Sequence, residues 1–68
     1  MITTRLVTNL DPPTNLPNLR KEYLVDFPAV PHVGNGLMWG PLRCKICGVG
    51  WQLNTDTGAM ELIVEFNK

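Results

Sequence analysis

The sequence predicts a mainly β fold, a small five-stranded SH3-like barrel or open β-roll, and three observations lead there. Five short apolar runs, rich in β-branched and aromatic residues, recur along the chain. Turn residues separate them, including many of the six prolines and six glycines. The last run alternates apolar and polar residues with the period of two that sends successive side chains to opposite faces of a sheet. With 68 residues, a single small β domain is expected over 1–68, burying only roughly 60% of the surface its unfolded chain exposes.

The first run is ITTRLVT, residues 2–8. NLDPPTNLPNL follows at 9–19, where Pro12, Pro13 and Pro17 predict an extended, proline-rich arm or loop that lies across its own barrel or across a neighbour. Leu16, Leu19, Tyr23 and Leu24 stand near helical spacing, with Asn15 or Asn18 available as a cap, so at most one short helical turn is expected here. Tyr23, Val25 and Phe27 fit strand alternation and run into Pro28, which favours a strand in EYLVDF, 22–27. Pro28 and Pro31 bracket the next loop, and the short GLMWG, 36–40, stops at Pro41.

LRCKICGVGWQL, 42–53, is the longest run and breaks phase within itself. Leu42, Cys44 and Ile46 share one face, whereas Val49, Trp51 and Leu53 fall on the other under simple alternation. One extra residue near Cys47-Gly48, a β-bulge, returns both triplets to the core side and bends the strand. NTDTG, 54–58, ends in a glycine able to take positive φ and predicts a hairpin loop into AMELIVEF, 59–66. There Met60, Leu62, Val64 and Phe66 are expected inward, and Glu61, Ile63 and Glu65 outward.

From Pro28 to Phe66 the order of proline, VG, short strand, glycine turn, long strand, polar hairpin and closing strand resembles a loosely defined group of small phage and bacterial proteins with an SH3-like β-barrel pattern. Pro31, Val33, Gly34, Gly40, Cys44, Ile46, Val49, Trp51, Leu62 and Val64 carry it. The resemblance implies a fold and a phage or prophage origin, and transfers no functional residue.

Charge and motifs narrow the function. Six Lys plus Arg balance six Asp plus Glu, so no net field draws the chain to nucleic acid or to an anionic membrane. No signal peptide or transmembrane run is read, and two cysteines are too few for a stapled secreted scaffold. The expected compartment is a reducing cytoplasm, or for a phage-encoded chain the host cytoplasm or the virion. No G-x-S-x-G, H-E-x-x-H, P-loop or dinucleotide fingerprint occurs, and no enzyme is expected.

CKICG carries C-x-x-C spacing, half of a zinc knuckle, in which a tight turn aims two thiolates at one ion. Cys44 and Cys47 would need His32, a carboxylate such as Asp26 or Asp56, or a second chain to complete four ligands. Zinc is therefore the alternative, and no cofactor is the favoured expectation. A redox pair is disfavoured, because no helix follows Cys44 to lower its pKa. Across three extended residues the two Cα atoms also lie about 10 Å apart, beyond the ~7 Å limit for a disulfide. The plain reading makes Cys44 a core residue and Cys47 a bulge residue. His32, alone in its loop, suits turn packing better than general-base work.

Two binding readings compete. Nucleic-acid binding would use Trp39 for stacking beside Arg43 and Lys45, with Trp51 expected in the core. Arg20 and Lys21 would add to the footprint if the fold brings them near. The favoured reading is a non-enzymatic protein-interaction module that binds a protein partner or another copy of itself. Phage-encoded inhibitors of a host or defence protein and small virion components are modules of this kind. Its interface would be Leu24, Met38, Trp39 and Ile63, large apolar residues placed where water is expected. The competing expectation is that the arm of residues 9–19 covers Leu24 and Ile63 within one chain.

Overall fold

A computed structural model describes residues 1–68. Five strands form one mixed sheet curled into a half-barrel, with no helix: β1 (Ile2–Thr8), β2 (Glu22–Phe27), β3 (Gly36–Trp39), β4 (Leu42–Leu53) and β5 (Met60–Asn67). Their order is β2-β1-β5-β4-β3. Neighbours are antiparallel except β1 and β5, which run parallel at the centre with Leu6 beside Val64. Alternation along single strands carries no information on this pairing, which joins the two ends of the chain.

The phase break in β4 is a bulge. Ile46 faces Phe66 and Gly48 faces Glu65, leaving Cys47 as the extra residue. The Asn54–Gly58 turn closes the β4–β5 hairpin, with Gly58 at φ 74° and its N–H donating to the Asn54 carbonyl at 2.8 Å. Positive φ at this site is what glycine allows at no steric cost.

The concave face holds the core: Leu6, Trp39, Cys44, Ile46, Leu62, Val64 and Phe66 are buried, with Trp39 edge-on to Phe66 at 5.6 Å between ring centroids. The arm closes one end of it. Leu10 and Leu19 pack against the core, and the segment between them makes turns at Pro13–Leu16 and Leu16–Leu19. Thr8 Oγ1 donates to the Phe66 carbonyl at 2.8 Å and accepts from Leu10 N–H at 3.1 Å. Trp39 Nε1 donates to the Arg20 carbonyl at 3.0 Å, and Lys21 pairs with Asp11 at 2.7 Å. The arm therefore lies across its own barrel end and leaves Leu24 on the convex face 69% exposed.

The opposite end, where β1 begins and β4 finishes, has no such cover. The molecule measures 40 × 24 × 19 Å, and its 12.6 Å radius of gyration exceeds the roughly 11 Å of a compact chain this long. Only nine of 68 residues are buried, so the core occupies part of the concave face rather than all of it.

Candidate functional site

Cross-strand partners share a face, so the register sorts every strand residue. On the concave side lie Ile2, Thr4, Leu6 and Thr8 of β1, and Tyr23, Val25 and Phe27 of β2. Leu37 and Trp39 of β3 join them, as do both β4 triplets and Met60, Leu62, Val64 and Phe66 of β5. None of these side chains is charged at neutral pH. The charged strand residues all project from the convex side or the ends.

Within this uncharged face, burial changes along the strands. Cys44 and Ile46 are buried, Leu42 and Val49 are partly buried, and Trp51 and Leu53 are each 55% exposed. Met60, opposite Leu53, and Met1 are exposed too. Trp51 sits in phase with the core, beside the buried Leu62, yet β3 ends its pairing with β4 at Lys45 and nothing covers the strand beyond. The expectation that Trp51 is core is corrected accordingly: its face is right, and its cover is missing. An apolar mouth results, formed by Trp51, Leu53, Met60, Met1, Ile2 and Phe27.

The expected interface quartet does not assemble. Trp39 is the correction, because it is only 4% exposed, held in the core by Phe66 and by its bond to Arg20. Leu24 and Met38 are exposed, on edge strands at opposite ends of the sheet order. Ile63 is half-buried on the convex face between Arg5 and Gly50. Arg5 separates Leu24 from Ile63: it ion-pairs with Glu22 and, at 2.8 Å, with Glu61. Those hydrogen bonds, Glu61's foremost, raise its pKa further. A groove of about 330 Å³ runs over Gly48 and Gly50, with Ile63, Glu65, Val49 and Trp51 lining it.

The nucleic-acid trio is split in the same way. Arg43 and Lys45 are exposed on the convex side of β4, whereas Trp39 faces the core. Arg20 lies over the Tyr23 ring at 5.0 Å and Lys21 is engaged by Asp11, so neither extends that pair into a basic stripe.

The bulge sends the two thiols apart, with Cys44 buried in the core and Cys47 exposed. Cys47 lines a cleft of about 130 Å³ with Val7, Thr8, Asn9, Glu65, Phe66 and Asn67. His32 N–H donates to Asn35 Oδ1 at 2.8 Å, in a turn that docks on the Ile46 backbone through Gly34 N–H. No three His, Cys, Asp or Glu side chains converge as a metal-holding group. No helix is long and apolar enough to cross a membrane.

A second apolar cleft, about 290 Å³, follows the open seam between β2 and β3, where Leu6, Tyr23 and Val25 face Leu37, Met38 and Trp39. Sequence reasoning missed both the mouth and the seam. The signal for the mouth was present in the mismatch between a four-residue β3 and a twelve-residue β4. Comparison with protein-family models, with characterised proteins and with solved structures gives no match.

Proposed function

We propose that the chain is a non-enzymatic protein-interaction module whose binding surface is the apolar mouth of the half-barrel. The observation that supports this reading is the continuation of an uncharged core face into open solvent, with Trp51, Leu53 and Met60 each more than half exposed. Contiguous exposed apolar patches on small proteins mark interaction surfaces, and partly exposed tryptophan and methionine are common anchors there.

A photo-crosslinking amino acid placed at Leu53, compared with one at Arg43 on the convex face, tests the assignment in cells that express the chain. Polypeptide adducts are expected from Leu53 and not from Arg43. Equal yields at both positions, or none at Leu53, reject the mouth as the binding surface.

A further inference from the structure

We propose that the free edge of β4 pairs with a second copy of this chain, antiparallel, across a two-fold axis at Trp51. The proposal rests on the interaction-module reading and names its partner. β3 covers β4 only over Leu42–Lys45, and the preceding turn reaches Ile46, whose N–H donates to the Asn35 carbonyl at 2.9 Å. From Cys47 to Leu53 the strand has β5 on one side and no strand on the other.

The direction of the unpaired groups follows from the hairpin. Asn54 N–H donates to the Ala59 carbonyl at 2.8 Å, so the alternation of an antiparallel ladder turns Gly48, Gly50 and Gln52 toward β5. Val49, Trp51 and Leu53 then offer their N–H and C=O groups to the open side. A copy laid antiparallel with Trp51 opposite Trp51 sets Val49 opposite Leu53 twice, and about six backbone hydrogen bonds form. Centring on Gly50 instead would bring the bulged Cys47 into the ladder and lose one of these pairs.

Nothing guards this edge. β2 carries Glu22 and Asp26 and runs into Pro28, and β3 is four residues long and is followed by Gly40-Pro41; both are devices that block strand addition. Residues 46–53 contain no charge and no proline, so two copies meet without like-charge repulsion. Pairing also brings together the exposed Trp51 and Leu53 of each copy, with Met60 beside them. The area covered is roughly 500 Å² per chain, or about 1,000 Å² in all, at the threshold for a specific interface. Symmetry of this kind is the commonest in homo-oligomers, because one patch serves as its own complement.

The test uses the whole chain, made by chemical synthesis, with sedimentation equilibrium up to about 100 μM as the readout, because dimer population follows concentration. The unmodified chain is expected at twice its 7.6 kDa mass. An N-methyl group on the Trp51 amide removes an open-side donor and keeps the side chain; it is expected to weaken association at least tenfold with unchanged circular dichroism. An N-methyl group on Gly50, facing β5, is expected to disrupt the hairpin itself. A monomer throughout that range overturns the proposal, as does a dimer indifferent to methylation at Trp51. A monomer whose Leu53 crosslinks to a different polypeptide also overturns it, while leaving the interaction-module reading intact.

Discussion

The two halves of β4 have the same alternation and opposite fates. Leu42–Lys45 pairs with β3, β5 joins from Lys45, and the turn before β3 docks on Ile46; the inward Cys44 and Ile46 of this half are buried. Gly48–Leu53 has a neighbour on one side only, and its inward Trp51 and Leu53 stand in solvent. Hydrophobic alternation determines which face a side chain takes, and the strands and loops across the sheet determine whether that face is covered. Stability should therefore concentrate at the arm end and recognition at the mouth.

The largest expected effect is a difference between two truncations. Phe66 is 1% exposed against Trp39, and Phe66→Ala should cost about 3–5 kcal/mol through lost burial and the cavity left behind. That is a large share of the whole stability of a domain this small. Leu53→Ala, at a 55% exposed site, should change the stability of the isolated chain by less than about 1 kcal/mol. Urea unfolding at low concentration, where self-association does not contribute, checks both. Equal losses would show that the arm end and the mouth are equally covered.

This contrast also separates what the sequence made legible from what it did not. All five strands, the hairpin at Asn54–Gly58 and the bulge at Cys47 followed from alternation and turn chemistry, because those are local. The two tryptophans did not. Trp39 sits in a four-residue strand between turns and looks exposed, yet the arm returns Leu19 and the Arg20 carbonyl to it from about twenty residues away. Trp51 lies in a regular apolar triplet and looks buried, yet the strand that would cover it stops short. The parallel β1–β5 pair was equally hidden, since it depends on a contact between strands some fifty residues apart.

A middle-sized effect comes from adding one carbon at each end. Gly40 has φ 60°, and a Cβ there would stand 2.9 Å from Leu19 Cδ2, so Gly40→Ala should cost about 1–2 kcal/mol, chiefly from left-handed backbone. Gly50 has no positive φ and nothing within 4 Å of a built Cβ. Gly50→Ala should be neutral or stabilising by up to about 1 kcal/mol, through a less flexible unfolded chain. Thermal unfolding of the pair reads the same asymmetry without touching an apolar contact. A destabilised Gly50→Ala would mean that something covers the convex face of this half of the strand, beside Ile63.

The smallest effect belongs to the strap that closes the arm. Lys21 holds the Asp11 carboxyl below its ordinary pKa, first through the side-chain hydrogen bond and then through its charge. A carboxylate depressed in the folded state contributes stability above its unfolded pKa, about 3.9, and loses it as pH falls through the lower folded value. Asp11→Asn should thus lower the unfolding midpoint slightly at pH 7, and the difference should shrink once the pH is below both values. Because the pair is exposed, high salt at pH 7 should shrink the difference as well. If the mutant stayed weaker at low pH and high salt, Asp11 would be holding the arm through backbone geometry rather than charge. The closed end would then owe its cover to that geometry together with Leu10, Leu19 and the Trp39 bond, apolar and hydrogen-bonded contacts that the mouth lacks.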